Sequence, residues 1–258
     1  MNSSLLFFQK QLFISIKSSF AKRTTFFFEA GYICISNFIF FALWKFFFLA
    51  FHKIGTWTFH DMLLLMTITF GAFGLMQVFL GGTKRIAYLI LSKDLDFFLL
   101  RPHNPLFSIL LSKSSGKGWG HLFSSLSLIL FSDLLDSCSP TLFFLGLICS
   151  FFIFTTIHIL LYSLPFWFGQ IEELLKKYEE SFLLFSLYPM HMYGKTIQIL
   201  LFSFLPTGLI GCLPLSLIQH FSITNLVLLL GTTLCLISLS FLIFSLGLKK
   251  YRKGRALT

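Results

Sequence analysis

Charge is scarce in this chain. Only 12% of its 258 residues are Asp, Glu, Lys or Arg, about half the share of an ordinary soluble domain. Acids are the scarcer sign, ten against twenty Lys and Arg. Hydrophobic residues make up 56% of the chain, and a water-soluble fold could not cover so much apolar surface. Cysteines are also few. Cys34, Cys138, Cys149, Cys212 and Cys235 form no C-x-x-C pair and no Cys/His cluster, so neither a disulfide framework nor a zinc site is expected, and they read as small buried residues. No stretch matches G-x-x-x-x-G-K-[ST]. The nearest, Gly116-Lys117-Gly118, lacks the hydroxyl that would hold magnesium and opens an apolar run instead of following a strand. H-E-x-x-H, G-x-S-x-G and facing intramembrane carboxylates are missing too, so no enzyme, no cofactor and no ATP binding by this chain alone are expected. A cleaved leader is not expected at the N-terminus, and the first span should stay as an anchor.

The chain does have long apolar runs: Thr25 to Phe51, Asp61 to Leu80, Trp119 to Leu135, Thr141 to Phe168, Lys195 to Leu217 and Asn225 to Leu248. A hydrocarbon core ~30 Å thick needs about 20 apolar residues per helix. Lipid leaves no water for unpaired backbone groups, and these runs lack the alternation of barrel strands. The predicted class is therefore all-α membrane, with six transmembrane helices. The 37 Phe residues read as lipid-facing filler. Before the first run, Leu5, Phe8, Leu12, Ile16 and Phe20 recur at helical spacing while Lys10 and Lys17 lie off that stripe, which suits a helix lying in the headgroup interface over 1–24. The spans then occupy 25–248, with a large loop at 82–118 and a basic tail at 249–258.

Orientation follows from the basic residues. Eighteen of the twenty fall in the N-terminal segment, the 82–118 loop, the region after the fourth run and the tail, leaving Lys45 and Lys53 on the other face. Cytoplasmic loops collect Lys and Arg. Both termini, the 82–118 loop and residues 169–194 are therefore predicted to be cytoplasmic. These cations lie between apolar runs and are not interleaved with stacking aromatics, so membrane lipids are the expected partner and nucleic acid is not. Pro206 and Pro214 are expected to break the fifth run, since each lacks a backbone donor.

Few polar residues fall inside the runs. His158, in the fourth, reads as a neutral, hydrogen-bonded imidazole; Glu29 reads as a headgroup neighbour or a partner of Arg23; Asp133 and Asp136 read as a solvated end of the third run. The 82–118 loop carries more information. Between Lys84 and Lys113 short apolar stretches alternate with charges and break at Arg101-Pro102-His103-Asn104-Pro105. Each proline disfavours helix in the residue before it, which predicts two short amphipathic pieces about a rigid turn.

Leu95 to Phe107, LDFFLLRPHNPLF, resembles the signature of a family of type-2 ATP-binding-cassette (ABC) permeases, L-D-x-x-L-L-R-P-x-x-P-L. Tyr188-Pro189-Met190-His191-Met192-Tyr193, then Phe204-Leu205-Pro206 and Leu213-Pro214, are similar to that family's later Y-P-x-x-I-Y, V-L-P and Y-P-A series, and Pro165-Phe166-Trp167-Phe168 falls where it often has a Phe-Trp pair. Two departures stand out: Lys93-Asp94 replaces a more usual Gly before Leu95, and Cys212-Leu213-Pro214-Leu215 replaces Y-P-A. The resemblance implies a permease that pairs with a second copy or a sister permease, couples to two separate cytoplasmic ABC ATPase subunits, exports its substrate and resides as a multi-pass protein in a bacterial cytoplasmic membrane. It implies an ATPase-coupling role for Asp94, Leu95, Asp96, Arg101, Pro102, Asn104 and Pro105, and a structural role for Tyr188, Pro189, Tyr193, Pro206 and Pro214. An ion-gradient-driven transporter or channel is the alternative, and it would want carboxylates or broken half-helices near the membrane midplane.

Overall fold

The computed structural model describes residues 2–55, 57–132, 139–203 and 206–255. Among the described residues the regular structure is helical, apart from one isolated bridge between Ile54 and Trp57. Helix α1 (Asn2–Ala21) bends at Lys22 into α2 (Arg23–Phe51), and α3 (Phe59–Phe79) follows. A 3₁₀ turn, η1 (Gly81–Lys84), opens a run of three short helices, α4 (Arg85–Leu91), α5 (Asp96–Leu99) and α6 (Pro105–Leu110). Next come α7 (Gly116–Phe131), α8 (Pro140–Ser163), α9 (Pro165–Phe168) and α10 (Glu172–Ser186). The chain ends with the 3₁₀ turn η2 (Met190–Met192), α11 (Lys195–Ser203), α12 (Thr207–Ile210), α13 (Cys212–Gln219) and α14 (Ile223–Arg255).

Four helical stretches are long and apolar enough to cross a membrane: Arg23–Phe51, Phe59–Phe79, Pro140–Phe168 and Ile223–Gly254. Their ends follow local chemistry. Thr58 caps α3 reciprocally: its hydroxyl faces the Asp61 backbone N–H at 3.4 Å, and Asp61 Oδ2 accepts the Thr58 backbone N–H at 2.7 Å. Pro140 occupies the first turn of α8, where no backbone donor is lost. The basic residues expected as a separate tail continue α14 as far as Arg255.

Helix α3 is the axis of the bundle, buried along nearly its whole length. It packs against both α7 and α8, with α2 also against α7 and α14 also against α8. Helix α7 fits between α2 and α3 through small residues. A Cβ on Gly118 would sit 2.7 Å from Gln77 Cβ, and one on Gly120 would sit 2.5 Å from the Ala30 carbonyl oxygen. Ser125 Oγ donates to the Thr67 carbonyl at 2.8 Å. Close backbone approach with interhelical hydrogen bonds is how helices associate where no hydrophobic drive separates them from lipid. Glu29 lies against Gly116 at the start of α7, and no Arg23–Glu29 pair forms. Asp133 and Asp136 lie outside the described residues.

Contacts along α3 show how the fifth run is built. Glu179 of α10 meets Lys84, just beyond one end of α3. Ser186 accepts from Thr69 Oγ1 midway, Gly211 approaches Leu65, and Gln219 Nε2 donates to Asp61 Oδ1 at the opposite end. So α10, α12 and α13 climb α3 in three steps, correcting two expectations. The climb starts in α10 and not at Lys195, and 169–194 does not stay at the Lys84 end, because Tyr188 packs on Phe40 and Trp44 of α2. Pro214 breaks nothing: it lies in the first turn of α13 against Gly146. Among the described residues the helix breaks fall at 187–194, at Pro206 just before α12, and at Gly211.

Candidate functional site

The segment between α3 and α7 is a folded platform. Ile86, Leu89, Leu95, Phe98, Leu106 and Ile109 bury against Ile159, Tyr162 and Phe166 of α8–α9, Leu175 of α10 and Phe244 of α14. The expected two pieces are three. The extra break comes at Lys93, whose φ of 64° ends the extension of α4. A Cβ in that left-handed region costs ~1–2 kcal/mol, which glycine avoids. This is the stretch where the resembling pattern favours Gly. The second break matches the predicted turn. Asn104 Oδ1 accepts the Leu106 N–H at 3.0 Å, and Pro105 takes the first helical position, so together they start α6.

The residues expected to couple to an ATPase divide between base and surface. Leu95 is fully buried and fastens the loop, so a docked partner cannot touch it. Arg101, Pro102 and Asn104 are exposed, while Asp94, Asp96 and Pro105 are half-buried. The Arg101 guanidinium carbon lies 5.2 Å from the centroid of the Phe98 ring, which steadies the charge at the surface. Two neighbours belong with them: Phe97 is 68% exposed and Leu100 is 85% exposed. Both occupy variable or apolar places in the motif, so a reading based on polar side chains passes over them.

Helix α1 packs along this loop. Phe7 stacks on His103 with centroids 4.1 Å apart, Phe8 reaches Phe107, and Gln11 Nε2 donates to the Ser108 carbonyl at 2.5 Å. Leu6, Phe13 and Ile14 stay exposed on its outer side. At the far end of the chain the Tyr251 hydroxyl donates to the Lys93 carbonyl at 3.3 Å.

A charged cluster ties the platform to the bundle. Glu179 accepts from Lys84 Nζ at 2.5 Å and from the Tyr162 hydroxyl at 2.6 Å. His158 Nδ1 donates to the Phe154 carbonyl at 2.7 Å, and its Nε2 stands 3.7 Å from Glu179 Oε1, too far for a hydrogen bond. The expected hydrogen-bonded imidazole is there, but it is not isolated: α10 brings a carboxylate beside it. Of the later motif residues, Tyr188 packs on α2 and Pro189 opens η2. Gln198 Nε2 donates to the Tyr193 carbonyl at 2.8 Å, and Pro206 precedes α12. Phe204 and Leu205 lie outside the described residues. Cys34, Cys149, Cys212 and Cys235 are free thiols, but only Cys149 is buried; Cys138 lies outside the described residues.

Apolar helices of spanning length around a buried axis, with a charged platform at one end, define a multi-pass membrane protein. The chain belongs to a family of ABC transporter permeases: the family model described as an ABC-2 family transporter protein matches residues 33–254. Members of this family are membrane transport components that work with ABC ATPase subunits and are not themselves the ATPase. A search of curated proteins finds no match to this sequence.

Proposed function

We propose that this chain is the membrane-spanning subunit of an ABC exporter in a bacterial cytoplasmic membrane, paired with a second permease copy or a sister permease and driven by separate cytoplasmic ATPase subunits. The chain crosses six times, through α2, α3, α7, α8–α9, the stepped α10–α12–α13 path and α14, with both termini inside. The basic residues around η1, α4 and the end of α14 support that orientation. One observation carries the coupling role: exposed Phe97, Leu100 and Arg101 sit on an apolar base shared with α8, α10 and α14. A force on that knob moves spans, because a packed base does not absorb displacement. Arg101 presents donors suited to carboxylates or backbone carbonyls of a docked ATPase, and Pro102 and Pro105 stiffen the turn.

A second reading draws on Glu179 beside His158, a pair that a proton-coupled transporter could use. ATP dependence separates the two readings. Arg101→Glu is expected to leave insertion and abundance unchanged while abolishing ATPase-dependent transport and weakening copurification of the ATPase. Normal transport and copurification in that variant would remove the coupling role, and transport that persists without ATP would favour the proton-driven reading.

A further inference from the structure

A cavity of about 700 Å³ opens beside the charged cluster, between α3, α4, α7 and α10. Lys84, Arg85, Lys113, Lys117 and Lys176 line it, against Glu172, Glu179 and Glu180. These charges are unevenly matched. Glu179 holds Lys84, Arg85 Nη1 donates to Ser112 Oγ at 3.1 Å, and Lys176 stands one helical turn from both Glu172 and Glu180. No carboxylate among the described residues lies within ion-pair distance of Lys113 or Lys117. The excess positive charge therefore gathers on the α7 side.

Two buried polar side chains on that side have unmet capacity. Ser124 Oγ donates to the Gly120 carbonyl at 2.9 Å, so its contact with Asn37 Nδ2 at 3.0 Å is one in which it accepts. The Asn37 amide thus faces Ser124 with its NH₂, and the same NH₂ meets His121 Nδ1 at 3.0 Å. His121 Nδ1 is then the acceptor, and the neutral ring carries its proton on Nε2. No protein acceptor is found for that N–H among the described residues, although His121 is only 5% exposed and lines the cavity. Gln77, 4% exposed, lines the same wall and has a side-chain oxygen with no hydrogen-bond partner.

We propose that this cavity binds a phosphate ester bearing a neighbouring hydroxyl, the chemistry of a glycerol phosphate, presented as a lipid headgroup. Phosphate oxygens accept from Lys113, Lys117 and His121 Nε2–H, and the Gln77 side-chain amide on the same wall lies beside the hydroxyl. Ile33, Phe73 and Leu183 supply an apolar wall for the first methylenes of the tails. The volume falls within the range of small-molecule sites, and basic pockets between membrane helices on the cytoplasmic side recognise anionic headgroups.

The test measures binding of fluorescent phosphatidylglycerol and phosphatidylcholine to the purified permease in neutral detergent without ATPase, so its failure leaves the coupling reading untouched. Phosphatidylglycerol should bind the tighter. Lys113→Gln with Lys117→Gln, both exposed and so harmless to folding, should weaken phosphatidylglycerol by on the order of thirtyfold and leave phosphatidylcholine unchanged. Full competition by soluble glycerol phosphate would assign the same site to a soluble ligand; failure to compete supports the lipid source. Equal binding of the two lipids, or normal phosphatidylglycerol binding by the double variant, would overturn the proposal.

Discussion

Gly82→Ala tests how the platform is held. A Cβ at residue 82 would lie 1.8 Å from the Ile109 carbonyl oxygen and 2.7 Å from that of Leu110. Ordinary contact begins at 3.4 Å, so η1 and α6 must part by roughly 1.6 Å. Neither oxygen can rotate away, because both belong to the backbone of α6. Overpacking that side chains can absorb costs ~1–3 kcal/mol, and here the upper end applies, with relief available only by lifting α6 off η1. Gly231→Ala is the matched control. Nothing lies within 4 Å of its added methyl group, and alanine gains ~1 kcal/mol over glycine inside a helix. Thermal unfolding in detergent, with tryptic cleavage at Lys113 followed over time, reads both variants. Gly82→Ala should unfold at lower temperature and be cut faster, and Gly231→Ala should match the parent or exceed it. A Gly82→Ala protein as stable and as resistant as the parent would refute the close approach.

Lys93→Gly removes a left-handed non-glycine residue, and the relief offsets the entropy glycine returns to the unfolded chain, so stability should stay level or rise by up to about 1 kcal/mol; a thermal midpoint clearly below the parent's would count against strain at φ 64°. Glu179→Gln should cost about 2 kcal/mol, because the hydrogen bond from Tyr162 loses its charged acceptor. That is below the ~3–5 kcal/mol of a wholly buried pair, since the Lys84 side chain is 45% exposed and rehydrates. Unchanged thermal unfolding of Glu179→Gln would make the cluster incidental.

The long apolar helices could be read from composition because lipid demands length and apolarity, and α2, α3, α8 and α14 satisfy both within one continuous segment. The Arg101 turn could be read because proline and a capping Asn act locally. What stayed hidden depends on partners distant in sequence. Helix α10, with Glu172, Glu173, Lys176, Lys177 and Glu180 on its first turns, looks like a solvated loop helix, and only Phe182 against Phe154 and Ser186 against Thr69 reveal it as a step of the broken fifth run. The carboxylate beside His158 is not legible in the sequence, because Glu179 arrives from 21 residues away through the turn at Gly169. The short α7 was legible as apolar, but its place between α2 and α3 comes from glycines whose value lies in the backbones they admit. Phe97 and Leu100 escape a sequence reading for the opposite reason: apolar residues in a membrane protein do not stand out until their exposure is known.

The knob at residues 97–101 is proposed to meet an ATPase, and site-specific photocrosslinking in native membranes reads that contact. A photoreactive residue placed at Leu100, 85% exposed, should yield a crosslink to a cytoplasmic ABC ATPase subunit, strengthened or weakened by ATP, while the same group at fully buried Leu95 should link only within the chain. Crosslinks from Leu100 to lipid alone, with and without ATP, would contradict the claim.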